Sequence, residues 1–395
     1  MRPWLSIIGI GEDGLDGLSD ASRNALAAAD VVFGGARHLQ LAAIGDRGRA
    51  WDVPFSIAPV LARRGHATAV LASGDPFWFG VGSTLAEQLD VGEWQAFPNI
   101  STFSIIAARL GWKIEETICL GLHAAPFERL ARCLAPGRHL ICLLRDGEAV
   151  GELGRWLHEN GFGASSSFVF EAVGGPRERR QECTAEDLVN ITARSPVAVA
   201  LRLEGKARAI RASGLPDHHF QHDGQITKRP IRALTISALA PRAGERLWDI
   251  GAGSGSVSIE WLLATGRTGT AIAIEPRADR ANTLRANAAA FGLGDRLDVV
   301  EASAPAALAG LATPQAIFVG GGANDAVLEA IFDLATAGTR LVVSAVTLET
   351  ETLLASWSGR KGGELMRLEI AHATPLGGRR GWAPSRPIVQ WSVTL

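Results

Sequence analysis

The residues best suited to bind a ligand form a glycine-rich turn, Asp249–Gly255, with the sequence Asp-Ile-Gly-Ala-Gly-Ser-Gly. An apolar run precedes the turn and a helical pattern follows it, so the turn should join a strand to a helix. Three alternating glycines allow a tight turn and a close approach of the backbone to a ligand, which the free N–H groups of the helix start would face. The residues predicted to line this site are Asp249, Gly251, Ala252, Gly253, Ser254 and Gly255.

Two acidic residues indicate which ligand the turn would bind. A dinucleotide-binding turn carries a further glycine where this chain has Ser256, and Asp249 would repel a pyrophosphate. Asp249 suits an ammonium group instead, and Glu275, at the end of the next predicted strand, suits the hydroxyls of a ribose. S-adenosylmethionine carries both groups. The alternative is a turn that only closes a strand–helix junction, which would need neither acid.

Three segments around the turn resemble the seven-stranded methyltransferases and, within them, the precorrin C15-methyltransferase/decarboxylase domain. These segments are Gly224–Ser237, Glu301–Pro305 and Ile317–Gly322. The resemblance implies that Thr227, Glu275 and Ala304 contact the cofactor together with the glycine turn. It also implies a Rossmann-like, seven-stranded methyltransferase fold for the C-terminal half.

Three loops in the first half follow separate predicted strands and carry glycine or small polar residues. Their candidate residues are Gly9 and Gly11, Gly74 and Asp75, and Ser101 and Thr102. Together the loops resemble the tetrapyrrole methylases, a fold of two small α/β subdomains with S-adenosylmethionine between them. The resemblance implies that these six residues lie near a second cofactor molecule. For Ser101 and Thr102 a plain helix cap is an equal interpretation, and it is compatible with cofactor contact.

A C5-type domain followed by a C15-type domain is the layout of a bifunctional enzyme of cobalamin synthesis. The resemblance implies two S-adenosyl-L-methionine sites per chain and transfer of two methyl groups to C5 and C15 of a precorrin-6 type tetrapyrrole. It also implies decarboxylation of the ring C acetate side chain, giving precorrin-8, and a homo-oligomer, a tetramer through the C-terminal domain. Methyl transfer from a sulfonium depends mainly on alignment, and no nucleophile–His–acid constellation is found, so no catalytic residue is predicted.

The anionic substrate of such an enzyme makes basic side chains near the two sites candidate contacts. Lys228 and Arg229 directly follow Thr227, Arg232 lies three residues further on, and Arg177 follows a Gly-Gly-Pro turn in the first half. We expect these four residues to contact substrate carboxylates. A solvated surface position is an equal alternative for Lys228.

Two other functions stay open on the sequence alone. One is methyl transfer to another small molecule or to RNA, against which stand the net charge of −2 and the lack of an aromatic and basic stripe. The other is a cofactor-binding sensor without catalysis, which does not account for two unrelated methyl-donor folds in one chain.

The elements that must position these sites alternate between short β-branched apolar runs and Ala/Leu-rich stretches of helical length, the pattern of α/β layers. Strands are predicted at 5–10, 31–33, 69–72, 118–120, 140–144, 167–171, 197–201, 246–250, 269–274, 297–300, 316–319 and 340–346, with a terminal pair at 364–373 and 388–395. Helices are predicted at 22–29, 82–89, 103–110, 229–239, 256–264 and 277–291. A polar stretch with glycine and proline predicts a linker at 207–223, between a first domain at 1–206 and a second at 224–395.

Bulk properties exclude several classes of protein. The chain has 395 residues, 47% hydrophobic and 20% charged, which argues against disorder. Its net charge supplies no general field for nucleic acid or a membrane, and no apolar run reaches the roughly 20 residues of a transmembrane helix, so a cytoplasmic enzyme is expected. The four cysteines form no C-x-x-C pair and are expected to be reduced. His218, His219 and His222 have a conceivable metal spacing, but we interpret them as linker residues and expect no metal.

Overall fold

The structure is a computed structural model, and it describes residues 3–205 and 213–395. These residues form two compact units. The first holds the described residues up to Phe127 and from Cys133 to 205, and the second holds Glu128–Arg132 and the described residues from 213 onward. Both are α/β, as the sequence predicts.

The first unit begins with a five-stranded, entirely parallel sheet in the order β3-β2-β4-β1-β5. Its strands are β1 (Leu5–Ile10), β2 (Val31–Gly34), β3 (Gly48–Ala50), β4 (Thr68–Ser73) and β5 (Trp94–Phe97). Its helices are α1 (Asp20–Ala27), α2 (Ala36–Leu41), α3 (Ala58–Leu61), α4 (Val81–Ala86) and α5 (Thr102–Leu110). The central strands β1 and β4 are almost fully buried, which explains their continuous apolar sequence.

The second sheet of this unit has the order β6-β7-β10-β8-β9 and is antiparallel except for the β6–β7 pair. Its elements are β6 (Thr117–Gly121), β7 (His139–Leu143), α6 (Glu148–Glu159), β8 (Ser166–Glu171), β9 (Arg179–Thr184) and β10 (Val197–Arg202). The strand β9 is absent from the strands predicted from the sequence. Since β9 is an exposed edge strand with charged side chains, it lacks the apolar pattern that marks a buried strand.

The second unit contains the predicted seven-stranded sheet, in the order β13-β12-β11-β14-β15-β19-β16. Its strands are β11 (Arg246–Ile250), β12 (Thr270–Ile274), β13 (Leu297–Val300), β14 (Ala316–Val319), β15 (Arg340–Ala345), β16 (Glu364–Leu368) and β19 (Ile388–Thr394). Its helices are α7 (Arg229–Leu239), α8 (Ser256–Ala264), α9 (Ala278–Ala290), α10 (Asp325–Leu334) and α11 (Leu348–Lys361). The first five strands are parallel, and β19 runs antiparallel between β15 and β16.

The predicted terminal strand pair is present as β16 and β19, but it ends earlier than expected. Residues 371–384 leave the large sheet and form a separate hairpin, β17 (Ala371–Leu376) and β18 (Arg379–Pro384). Nearly every residue of this hairpin is exposed. Leu376 and Trp382 are exposed at 69% and 78%, respectively.

The region predicted as a linker falls partly on residues 206–212, which lie outside the described residues. Residues 213–223 pack onto the second unit, where Leu215 and Phe220 join its hydrophobic core. The buried carboxylate of Glu260 accepts hydrogen bonds from the backbone N–H groups of Gly214 (2.6 Å) and Leu215 (2.8 Å). This part of the predicted linker is therefore attached to the second unit by both apolar and polar contacts.

Arg232 was expected to contact substrate, and the structure corrects this prediction. Its side chain is fully buried and forms ion pairs with Glu260 (2.5 Å) and Asp217 (3.1 Å). It also donates to the backbone carbonyls of Leu215 and Thr227. Arg232 faces the inside of the unit because its position on α7 places it on the buried side of that helix. It is a structural residue that joins α7, α8 and the segment before α7.

Three further sequence expectations concern membranes, metals and thiols. Within the described part of the chain, no helix has the length and apolarity needed to cross a membrane. Across residues 3–205 and 213–395, no group of His, Cys, Asp and Glu is arranged to hold a metal ion. None of the four cysteines, all of which lie in the described ranges, is in a disulfide, and Cys119 and Cys142 are buried.

We expect Glu260→Gln to destabilise the second unit by about 3–5 kcal/mol, because it removes the buried one of the two carboxylates that pair with the buried Arg232 guanidinium. The free energy of unfolding is measured by denaturant titration, with amide hydrogen exchange of α7 and α8 as the probe. The matched control is Glu301→Gln, because Glu301 pairs with Arg285 at the surface and exposed pairs contribute at most about 1 kcal/mol. Equal effects of the two changes would contradict the structural role given to Glu260.

Candidate functional site

The three predicted loops of the first unit meet at the carboxyl edge of its parallel sheet. A Cβ atom on Gly9 would overlap the carbonyl oxygen of Gly74, and a Cβ on Gly74 would lie 2.9 Å from the carbonyl oxygen of Ile100. Gly74 also has a positive φ of 54°, which glycine adopts without strain. The loops after β1, β4 and β5 can therefore contact one another only because these positions lack side chains.

Two of these loops are held in shape by side-chain hydrogen bonds to the backbone. Asp75 accepts from the N–H of Phe77 (2.8 Å), and Ser101 accepts from the N–H of Ser104 (3.1 Å) as the N-cap of α5. The helix-cap interpretation of Ser101 is thus confirmed. Contact with a cofactor by Asp75, Ser101 and Thr102 stays a prediction.

A cavity of about 360 Å³ opens where the loops meet. Five of the six predicted residues line it, namely Gly11, Gly74, Asp75, Ser101 and Thr102. The opposite wall comes from the second sheet of the same unit and includes Leu143, Phe170 and Val197. The volume lies in the range of small-molecule sites, and the position between two sheets agrees with the arrangement expected from the resemblance.

A charged cluster that the sequence analysis did not identify lies at this cavity. Arg37 forms an ion pair with the nearly buried Glu12 and donates to Ser73 Oγ (3.0 Å) and His38 Nε2 (2.9 Å). Burial, and then the charge of Arg37, lowers the pKa of His38 to about 4, so His38 is neutral at physiological pH. Arg177, which was predicted to contact substrate, pairs with the other carboxylate oxygen of Glu12. The distance from Arg177 Nη2 to Glu12 Oε2 is 3.6 Å, and 70% of the Arg177 side chain is exposed.

In the second unit, the glycine turn follows β11 at the point where the strand order reverses, with β12 on one side and β14 on the other. This is the usual ligand position in open α/β sheets. Gly251 and Gly255 have positive φ angles, and added Cβ atoms would lie 2.6 Å from the carbonyl oxygen of Gly321 and from Leu284, respectively. Gly253 differs because no atom lies within 4 Å of the position of its Cβ. The turn is therefore packed at both ends and open in the middle.

Asp249 lies beneath this turn and is 1% exposed. Its Oδ2 accepts from the hydroxyl (2.6 Å) and the backbone N–H (3.2 Å) of Ser258, whereas Oδ1 has no hydrogen-bond partner among the described residues. Burial, with a smaller contribution from the charge of Glu275, raises the pKa of Asp249 to about 6 despite the lowering effect of the hydrogen bonds from Ser258. A buried carboxylate oxygen without a donor is unfavourable, and a cationic donor brought to it would relieve that cost.

Glu275 and Asn287 hold the turn from the side of the next strand and helix. Glu275 is 3% exposed and accepts from the backbone N–H groups of Gly253 (2.9 Å) and Arg277 (3.0 Å). Asn287, which the sequence analysis did not identify, donates to the carbonyls of Ser254 and Gln221, both at 2.9 Å. The segment before α7 is thereby joined to the glycine turn. An asparagine in the middle of a helix carries no local pattern that would indicate this contact.

The other predicted residues of the second unit differ in burial. Thr227 is half-buried directly before α7, and Ala304 is half-buried against the core on one face of the sheet. Lys228, the N-terminal flanking residue of α7, and Arg229 are exposed. Ala252 packs against the core, and Ser254 is buried.

We expect Asp249→Asn to make the cofactor-free second unit more stable at pH 7.5, by about 1–3 kcal/mol, because it removes a buried charge. The folded protein holds the Asp249 proton more tightly than the unfolded chain, so protonation of Asp249 stabilises the unsubstituted protein at low pH. This stabilisation is lost as the pH rises from about 4 to 6. The advantage of the variant should therefore shrink as the pH falls towards 4.5. Amide hydrogen exchange of β11 measures the stability of both proteins at each pH. A stability difference that grows on acidification would contradict the prediction.

Comparison with known proteins matches each half of the chain to a family. Residues 5–189 match the tetrapyrrole (corrin/porphyrin) methylases, and residues 218–395 match the precorrin methyltransferase domain. A precorrin-6Y C(5,15)-methyltransferase [decarboxylating] of Sinorhizobium sp. is 46% identical over 100% of this chain and 97% of its own length. The Mycobacterium tuberculosis protein of that name is 39% identical over 98% of this chain and 99% of its own.

A solved structure is also similar to part of the chain. The C-terminal domain of precorrin-6Y C5,15-methyltransferase from Rhodobacter capsulatus is 53% identical, with a TM-score of 0.46, over 47% of this chain and 100% of its own.

Proposed function

Because the chain belongs to the family of decarboxylating precorrin-6Y C5,15-methyltransferases, we propose that each of its two units binds one S-adenosylmethionine and that both act on one tetrapyrrole. The chain is an S-adenosylmethionine-dependent methyltransferase of cobalamin biosynthesis. The observation that carries the two-site proposal is the presence of a separate glycine-dependent loop junction in each unit, at Gly74 and at Gly251.

The first unit, in this proposal, methylates C5, and the second methylates C15 and releases carbon dioxide. The match of residues 5–189 to the tetrapyrrole methylases and of 218–395 to the precorrin methyltransferase domain supports this division. The proposed domains are accordingly residues 1–206 and 224–395. Of the segment between them, residues 213–223 are packed onto the second unit.

The second site fits the cofactor through its acidic residues. When bound, S-adenosylmethionine supplies a methyl group on a positively charged sulfur. Asp249 would accept hydrogen bonds from the ammonium group at its Oδ1 atom, which has no partner among the described residues. Glu275 accepts one hydrogen bond from Gly253 and one from Arg277, so its remaining lone pairs would accept the ribose hydroxyls. The open side of Gly253 lets a ligand approach the backbone.

The first site would align the donor by shape rather than by acid–base groups. Gly11, Gly74 and Thr102 form one wall of the 360 Å³ cavity, and apolar residues of the second sheet form the other. Such a site excludes water and orients the donor for in-line displacement. Decarboxylation in the second unit needs an electron sink, which the conjugated imines of the substrate can supply.

Substrate contacts are proposed for the exposed basic residues near the two sites. Lys228 and Arg229 stand at the start of α7, next to Thr227, and Arg177 stands near the cavity of the first unit. Their side chains are accessible, so carboxylates of the tetrapyrrole can reach them. Arg232 is excluded from this set by its burial.

An oligomer formed through the second unit is proposed on the basis of the β17–β18 hairpin. The hairpin pairs with no other strand among the described residues, and it exposes Leu376 and Trp382. Exposed apolar side chains on an unpaired hairpin are typical of a surface that associates with further copies of the chain.

We expect two S-adenosylmethionine sites per chain, lost one at a time by two substitutions. Gly74→Ala should remove the first site and methylation at C5, because the new Cβ meets the Ile100 carbonyl. Gly251→Ala should remove the second site, methylation at C15 and carbon dioxide release, because its Cβ meets the Gly321 carbonyl. Calorimetry with S-adenosylhomocysteine counts the sites, and NMR of products made with ¹³C-methyl donor locates each methyl group.

The controls for these substitutions are Gly65→Ala and Gly266→Ala. Both glycines have positive φ angles, but no atom lies within 4 Å of an added Cβ. Alanine at either position has the same unfavourable positive φ angle as in the two test variants, but its Cβ meets no other atom. Both control variants should therefore keep two S-adenosylmethionine sites. A single site in the unsubstituted chain, or loss of C15 methylation in Gly74→Ala with C5 methylation intact, would overturn the division of activities.

We expect Trp382→Lys to lower the oligomeric mass of the protein in sedimentation, because it places a charge on the apolar hairpin surface. Cofactor binding should be unchanged. Val53→Lys is the control, since Val53 is 98% exposed on the first unit and should leave the mass unaltered. A monomeric unsubstituted chain, or an unchanged mass in Trp382→Lys, would contradict the proposed interface.

A further inference from the structure

The cluster at the cavity of the first unit contains more positive than negative charge. Glu12, with 8% of its side chain exposed, is shared by two guanidinium groups, those of Arg37 and Arg177. The other partners of Arg37, His38 and Ser73, are neutral. One carboxylate therefore faces two permanent positive charges, so the cluster carries a net positive charge.

Arg37 is the member of the cluster that reaches the ligand space. It is the one Lys or Arg side chain among the described residues that line the cavity, and a third of that side chain is exposed. Burial, and then the charge of Arg177, lowers the pKa of Arg37, yet arginine stays protonated. A partly desolvated cation of this kind gains most from an ionised partner, because charge-assisted hydrogen bonds are strongest where water is excluded.

The guanidinium is also held in a fixed orientation. Its contacts with Glu12, His38 and Ser73 come from the loop after β1, from α2 and from the end of β4. They occupy three of the five N–H donors, so two donors remain for a ligand. Asp75, the other carboxylate among the described residues that line the cavity, accepts from Phe77 in its own loop, whereas Glu12 is the carboxylate that pairs with Arg37.

We propose that Arg37 binds one carboxylate of the tetrapyrrole in the first unit, oriented by Glu12 and supported by the charge of Arg177 at the rim. This inference rests on the proposed function of that unit. The cofactor also carries a carboxylate, in its methionine part. The position favours the substrate, because the cluster runs from the cavity wall at Arg37 to the solvent at Arg177, where a large polyanion would enter.

The test compares Arg37→Gln with Arg64→Gln in the full chain. Arg64 also pairs with a glutamate on the same unit but does not line the cavity, so its loss changes the net charge equally. For each variant, the KM for the tetrapyrrole is measured from methyl transfer to C5, over a range of salt concentrations. The affinity for S-adenosylhomocysteine, which keeps the methionine carboxylate, is measured by calorimetry.

We expect Arg37→Gln to raise the KM for the tetrapyrrole roughly 10- to 100-fold, the effect of losing one charge-assisted hydrogen bond. Its KM should also depend less on salt, and its affinity for S-adenosylhomocysteine should stay within about twofold of the original. Arg37→Lys keeps the charge without the planar fork and should raise KM less. Arg64→Gln should change neither quantity.

Three results would overturn the inference. A fall in S-adenosylhomocysteine affinity in Arg37→Gln, with KM for the tetrapyrrole unchanged, would assign Arg37 to the cofactor carboxylate. An unchanged KM and affinity would make the cluster structural only. An equal rise of KM in Arg64→Gln would show a general charge effect. Failure of the unsubstituted chain to methylate C5 is a separate outcome, and it would overturn the proposed function of the first unit instead.

Discussion

Parallel strands end at one edge of a sheet, and both candidate sites of this chain depend on that geometry. In the first unit, β1 lies between β4 and β5, so the three loops that follow these strands converge. In the second unit, β11 lies between β12 and β14, so the glycine turn, Glu275 and the Gly321 loop converge in the same way. The backbone can approach this closely only at glycine, and each junction has glycines whose added Cβ would collide with a neighbouring loop or side chain.

The two sites differ in the sign of the charge that they hold. The second site holds two carboxylates, Asp249 and Glu275, each at most 3% exposed, and this negative charge would suit a cationic ligand. The cluster at the first cavity has two guanidinium groups around Glu12, and this positive charge would suit an anion. A positively charged methyl donor and a polyanionic tetrapyrrole are the two ligands of this enzyme family. The two arrangements fit these opposite charges.

The buried network of Arg232, Glu260 and Asp217 illustrates a different use of charge. Arg232 binds both carboxylates and the backbone carbonyls of residues 215 and 227, and Glu260 accepts from the backbone N–H groups of residues 214 and 215. The side chains of Arg232 and Glu260 are at most 2% exposed, so no ligand can reach them. Breaking such a pair leaves an unpaired buried charge, so its cost to stability exceeds that of a surface pair. The network attaches the segment before α7 to the same helix that the glycine turn opens, so the second site is supported by it.

The sequence by itself determined the local elements and the signature of each loop. The bounds of α7, β11, α8, β13 and β14 agree with prediction to the residue, since apolar periodicity and caps are encoded within a few consecutive positions. The glycine turn and Glu275 were predicted for the same reason. Tertiary structure alone decided which charges meet. Glu12, Arg37, Ser73 and Arg177 are distant in sequence, and Arg232 looks like its exposed neighbours Lys228 and Arg229. The packing of α7 against the rest of the unit buries Arg232. Its residue type does not indicate this burial, because contacts between residues distant in sequence leave no local pattern in the chain.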